Sequence, residues 1–284
     1  MKKKIAWITD SSAYVPEELK NHPDLFVIPL SITFESGTYE DGIDLNTEML
    51  YKNIREDKEI PKTSQPSVGK FAETFEKLKE NYDAAIAVHI SGELSGTLSS
   101  CRAGGELAEF PVEVVDSLTM SVGITRLIEI GMEQINDGKD YKEVAEFLRE
   151  EAYKTECYLL LGSLDQFYKG GRMSGTKYLL GNLLNIKPII TIYKGKFDLL
   201  EKVRSEKRAF NRMIDLFDAA YQKSDIKKLY ILHGNVMDKA LHYKDELLKR
   251  YPSLETTVAE LTATITVHSG EGTVVLAWAN DHKH

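Results

Sequence analysis

Along the first half of the chain, short uninterrupted apolar runs alternate with stretches whose apolar residues recur every three or four positions. The runs at Ile5–Thr9, Phe26–Ile32, Ala84–Ile90 and Val112–Val115 predict buried strands, because their apolar residues continue instead of alternating. Between the middle pair, Phe71, Phe75, Leu78 and Tyr82 predict a helix with one buried face. Strand, helix, strand in that order implies a right-handed crossover and a parallel sheet. Ligands of such open sheets gather at the carboxyl ends of the strands.

From about Cys157 the pattern changes. Tyr158–Leu161 reads as a strand, and Ile189–Tyr193 and Phe197–Val203 flank a short turn at Lys194-Gly195-Lys196, as in a hairpin. Phe210, Met213, Ile214, Phe217 and Tyr221 mark a long amphipathic helix; a strand at Leu229–Leu232 and a helix near Met237–Tyr251 follow. Thr262–Val267 and Thr273–Trp278 read as two strands around Gly270-Glu271-Gly272. The fold class expected is α/β, with an N-terminal parallel-sheet domain over residues 1–155 and a C-terminal α+β domain with a mixed or antiparallel sheet over 156–284.

Composition narrows the function. At 284 residues the chain buries enough apolar surface to need no staples. Its two cysteines, Cys101 and Cys157, make neither a disulfide framework nor a four-cysteine zinc site and fit a reducing compartment. A net charge of −8 argues against nucleic-acid binding. The longest apolar stretch, Tyr178–Tyr193, is broken by Gly181, Asn182, Asn185, Lys187 and Pro188, so no membrane span is expected, and the N-terminus lacks a signal-peptide core. The expectation is a cytoplasmic protein with at most transient contact with a membrane surface.

Polar segments stand where strands give way to helices: Thr9-Asp10-Ser11-Ser12, Ser91–Thr97 and Asp116-Ser117. Helix starts offer free N–H groups and a positive dipole end to a carboxylate or phosphate. Ser11, Ser12 and Ser117 read as helix caps. Ser95-Gly96-Thr97 carries more hydroxyl and glycine than a cap requires, so it reads as a ligand loop. Ser67 reads as the cap of the Phe71 helix, leaving Thr63 and Ser64 as donors or as ordinary loop residues. Lys169-Gly170-Gly171-Arg172-Met173-Ser174 is a glycine turn with two cations, and arginine suits carboxylate or phosphate. The apolar run Tyr178–Ile186 is core or the lining of an apolar cavity. His268 stands in a turn between two strands. No HExxH, GxSxG or Walker-type loop occurs, and no paired metal-ligand spacing. No metal, no cofactor and no catalytic set is expected.

Taken in order, Thr9–Ser12, Tyr39–Gly42, Thr63–Ser67, Leu94–Thr97, Asp116-Ser117, Gly170–Ser174, Ile186–Pro188 and His268–Gly272 resemble the DegV family over nearly the whole chain, from Ile8 to Trp278. One departure is Glu271, where the family often carries proline. The resemblance implies a two-domain α/β protein with one long-chain fatty acid between the domains. It implies that Thr63 and Ser95 hold the carboxylate, with Ser64, Gly96, Thr97 and His268 beside them. Arg172 would face a partner or a phosphate. The chain would be a monomeric, non-catalytic subunit that presents the carboxylate to the ATP-using catalytic subunit of a fatty acid kinase, in phospholipid metabolism. Burial of methylenes at roughly 0.8 kcal/mol each supplies the affinity, and neutral donors suffice for the head group. Two other readings stay open: a stand-alone hydrolase or transferase with Ser95 as nucleophile and His268 or His89 as base, and a lipid-sensing regulator without a kinase partner.

Overall fold

The apolar run at the N-terminus forms strand β1 (Ile5–Asp10), buried throughout because it lies inside a sheet covered on both faces. The structure, a computed structural model, describes residues 3–172 and 186–280. Helix α1 (Glu17–Lys20) leads into β2 (Leu25–Ile28), which pairs with β1 in parallel. The run expected as one strand at Phe26–Ile32 is broken by Pro29, which has no N–H for a ladder. Beyond it the chain leaves the first sheet. Strands β3 (Ser31–Phe34), β4 (Gly37–Glu40) and, after helix α2 (Thr47–Glu56), β5 (Lys62–Ser64) make a separate three-stranded antiparallel sheet.

Ser67 caps α3 (Val68–Leu78) as expected, its hydroxyl accepting from Lys70 N at 3.1 Å. Phe71, Phe75 and Leu78 form its buried face, while Tyr82 lies beyond its end. Strand β6 (Ala84–His89), helix α4 (Thr97–Leu107) and strand β7 (Val112–Asp116) complete the parallel sheet in the order β2-β1-β6-β7. Helices α5 (Val122–Asn136) and α6 (Tyr141–Glu151) follow.

The remaining strands build a six-stranded sheet in the order β10-β9-β8-β13-β11-β12. In chain order these elements are β8 (Thr155–Leu160), α7 (Leu164–Lys169), β9 (Lys187–Tyr193), β10 (Lys196–Val203) and α8 (Glu206–Tyr221). Then come β11 (Lys228–His233), α9 (Met237–Arg250), β12 (Glu255–Glu260), α10 (Ala263–Ser269) and β13 (Val274–Ala279). All neighbours are antiparallel except β11 and β12. Side chains alternate between faces. Leu160, Val274 and Leu276 join the core beneath α8 and α9, with Met213 and Phe217. Leu159, Val275 and Ala277 face the other way and merge with Leu127, Ile128 and Trp7 from the N-terminal half. The two large sheets therefore share one apolar cluster.

One element differs in kind from its sequence pattern. Thr262–Val267, expected as a strand, is helix α10 for most of its length. Its β-branched residues favour strand, but a helix start buried in the interior is stabilised from outside. Asp41, on the turn after β4, accepts from the Thr264 N–H at 3.0 Å and from its hydroxyl. A tertiary carboxylate thus satisfies an end that local sequence leaves open. No helix among the described residues is long and apolar enough to cross a membrane.

Candidate functional site

Strand β5, the loop before α4, the end of α7 and helix α10 converge on a cavity of about 440 Å³. Its polar lining comes from Thr63, Ser64, Gln65, Ser95, Thr264, His268, Ser269 and Arg172, with the backbone of Gly96. The rest is apolar. Leu30, Ile90, Leu94 and Met120 come from the side of the parallel sheet; Leu159, Phe167, Phe197 and Ile265 come from the side of the mixed sheet. Residues some two hundred positions apart are thereby brought together, with Thr63 Oγ1 lying 2.8 Å from His268 Nε2.

Each polar group is held by its element. Thr63 stands in β5, paired to Ile32 of β3. Ser95 precedes the first turn of α4, and its hydroxyl meets the Thr97 hydroxyl at 2.8 Å. Thr97 itself supports Ser95 without lining the cavity. His268 occupies the last turn of α10 instead of a turn between strands, a correction that fixes its ring more firmly than a loop would. Gly270 ends that helix at φ +86°, packed so closely on Ser163 that a Cβ would lie 2.5 Å from the serine Cβ. Gly170 lies equally close to the imidazole: a Cβ there would sit 2.6 Å from His268 Nδ1.

The electrostatics follow from burial. Burial first, and the Arg172 guanidinium second, push the His268 pKa down to about 4, so the ring is neutral near pH 7. With its proton on Nε2 the ring donates to Thr63 Oγ1 and leaves the threonine proton free for an anion in the cavity. Arg172 is half-buried, donates to Gly170 O and approaches Thr63 Oγ1 at 3.4 Å. It has no carboxylate partner among the described residues, and burial lowers its pKa. A guanidinium so placed is offset by an incoming anion. The head end therefore offers a cation as well as the neutral donors that were expected to suffice.

Several expected roles change. Ser11, Ser12 and Ser117 cap no helix: Ser11 Oγ accepts from Leu30 N, Ser12 binds Asp10, and Ser117 Oγ donates to Thr119 O. Among the described residues Ser95 makes no hydrogen bond to a histidine: His268 pairs with Thr63 and His89 with Asp10. Glu271 points to Arg55 of α2, which holds it with two of its guanidinium nitrogens, Nε and Nη2, and to Asn235, so its charge is spent away from His268. Residues 173–185, which include Met173, Ser174 and most of the run Tyr178–Ile186, lie outside the described residues. Gln65, Met120, Phe167 and Ile265 line the cavity without having been singled out. Gln65 lies inside the Thr63–Ser67 segment but was given no role there; the others looked like any core residue. No cluster of metal-ligating side chains occurs among the described residues.

A family model described as "Uncharacterised protein, DegV family" matches residues 4–281. The chain belongs to the DegV family. A DegV domain-containing protein of Listeria innocua is 32% identical over 283 residues, covering 98% of this chain and 99% of the relative. Two solved DegV structures share the fold. The fatty acid binding DegV family protein of Streptococcus agalactiae superposes with a TM-score of 0.91 at 28% identity, covering 99% of this chain and 100% of that one. DegV of Bacillus subtilis, described as a fatty acid binding protein, gives 0.88 at 29% identity, with 98% and 100% covered. The α/β class with one parallel and one mixed sheet is thus that of the DegV proteins.

Proposed function

We propose that this chain binds one long-chain fatty acid between an N-terminal domain (1–155) and a C-terminal domain (156–284). Thr63 and Ser95 hold the carboxylate, with Ser64, Gly96 and His268 around it and Thr97 behind Ser95, and the tail fills the apolar part of the cavity. The observation that carries this reading is a largely apolar cavity in which a neutral His268 supports Thr63 and a half-buried Arg172 beside them lacks a carboxylate partner among the described residues. The solved relatives described as fatty acid binding support it. Burial of the tail at roughly 0.8 kcal/mol per methylene supplies the affinity. The chain acts as a non-catalytic subunit that presents the carboxylate to a separate ATP-using kinase, with Arg172 beside the incoming phosphate.

Mass spectrometry of lipid extracted from the purified, folded protein is expected to find about one fatty acid per chain; folded protein yielding no acyl chain under denaturing extraction overturns the reading. Mixing loaded protein with ATP and a kinase subunit is expected to form acyl phosphate. Arg172→Ala slows this step while lipid remains bound, and an unchanged rate would assign the Gly170–Arg172 turn to structure alone.

A further inference from the structure

Resting on the fatty-acid reading, we propose that the tip of the β9–β10 hairpin is the movable wall of the cavity, and that the acyl chain enters and leaves as this tip swings away from the loop before α4. Strand β9 pairs with β8 only from Ile189 to Thr191, whereas its pairing with β10 continues to Tyr193 and Lys196. Residues Ile192–Phe197 therefore overhang the sheet as a two-stranded ribbon, and β10 is an edge strand. No strand among the described residues pairs with the ribbon on either side. Such a ribbon is marginally stable by itself. Below it, the register of the pair shifts between Leu199 and Glu201. A bulge of this kind interrupts the ladder and bends the strand, which supplies a hinge.

The ribbon is one layer thick between cavity and solvent. Ile192 and Phe197 face each other across it and are buried, while Tyr193, Lys196 and Asp198 are exposed. Phe197 lines the cavity and meets Phe167 edge-on, with ring centroids 4.9 Å apart.

The turn residues Lys194 and Gly195 both take positive φ, 48° and 81°, as a two-residue hairpin turn requires. That turn sets Gly195 against Ser91: a Cβ at position 195 would run into the serine Oγ and lie 3.5 Å from its Cβ. Beside it Lys196 Nζ meets Glu93 Oε2 at 3.2 Å, both side chains about half exposed. Ser91 and Glu93 belong to the loop that continues into Ser95 and Gly96. The ribbon thus reaches from the mixed sheet across to the parallel sheet, and its two ends differ. At the base it is held by the β8–β9 ladder and the apolar core; at the tip, by a glycine contact and an exposed ion pair, which contributes little. Contacts of the second kind open first.

The full chain carrying Ser91→Cys and Gly195→Cys tests this, because a Cβ–Cβ separation of 3.5 Å lies within disulfide range. Protein loaded with palmitic acid while reduced is oxidised, the cross-link is confirmed by mass spectrometry, and exchange of bound palmitic acid for its deuterated form is timed. Exchange is expected to slow at least several-fold on oxidation and to recover on reduction, while the oxidant leaves the rate of each single-cysteine variant where it was. A cysteine at 195 must adopt a positive φ, so charge reversal supplies a second arm. Lys196→Glu is expected to speed exchange several-fold at low salt, and adding Glu93→Lys to slow it again. Unslowed exchange in the confirmed cross-linked protein overturns the lid and leaves the fatty-acid reading standing. Where the cross-link does not form, a rate unmoved by Lys196→Glu does the same. Failure of the unaltered chain to take up any fatty acid overturns both.

Discussion

Two buried histidines, His89 at the end of β6 and His268 at the end of α10, sit in opposite electrostatic settings. His89 is fully buried beneath the parallel sheet's carboxyl edge, where its Nδ1 donates to Asp10 Oδ2 at 2.9 Å. Burial alone would lower its pKa, but the neighbouring Cys101 and Asp10 outweigh burial and raise it to about 9. Asp10 is also closed off, accepting from the Ser12 backbone and hydroxyl and from Ile90 N. His268 has a guanidinium for a neighbour, a Nδ1 without a partner among the described residues, and a pKa of about 4. Each ring leaves one nitrogen without a hydrogen-bond partner among the described residues, Nε2 in His89 and Nδ1 in His268, but the His89–Asp10 pair does not line the cavity, whereas His268 opens on it, where a ligand can complete the set. Burial is common to both; the charge of the neighbour decides which is structure and which is site.

The largest expected effect tests whether the closed network carries stability. His89→Leu strands the Asp10 carboxylate and should cost about 3–5 kcal/mol, read as a drop in the urea midpoint. His268→Leu removes one hydrogen bond of a neutral ring and should change stability by under about 1.5 kcal/mol. Equal losses would break the comparison.

Next in size is binding. Thr63→Val and Ser95→Ala should each weaken fatty-acid affinity by about 1.5–3 kcal/mol, roughly ten- to hundredfold, with the fold intact. Because both hydroxyls are assigned to one carboxylate, their losses should not add. Full affinity in the double variant would dissolve the head-group assignment.

The smallest effect sharpens the contrast by sign. The folded pKa of His89 is raised, so its contribution is complete below about pH 6.5 and is lost as pH rises through about 9. That of His268 is depressed: the unfolded chain binds the extra proton first, so stability falls as pH drops from about 6.5 toward 4. In ligand-free protein, His268→Gln should flatten the acid limb of the stability profile and His89→Gln the alkaline limb. Limbs that respond the other way round would mean the two environments have been exchanged.

Much of this was legible in the chain. Continuous apolar runs at Ile5, Ala84 and Val112 meant strands covered on both faces, and the Phe71 periodicity with Ser67 ahead of it meant a capped helix; period and capping are local, so sequence carries them. The hydroxyl loops at Thr63 and Ser95 announced themselves by composition. Other features depended on partners distant along the chain. Thr262–Val267 is a helix because Asp41 reaches across to its first turn, and no local propensity encodes that carboxylate. His268 is neutral because burial and Arg172 meet around it, and the His89 pKa is raised because Cys101 and Asp10 outweigh burial there. Met120, Phe167 and Ile265 became cavity lining only once two sheets closed on each other. Sequence by itself determined most of the strands and helices, though not Thr262–Val267, and where hydroxyls collect, since those follow from short-range sterics and hydrophobic period. Which buried group is paired, which is left open, and where apolar surface stops being core and becomes a cavity were decided by the tertiary structure alone, because desolvation and charge act through space, not along the chain.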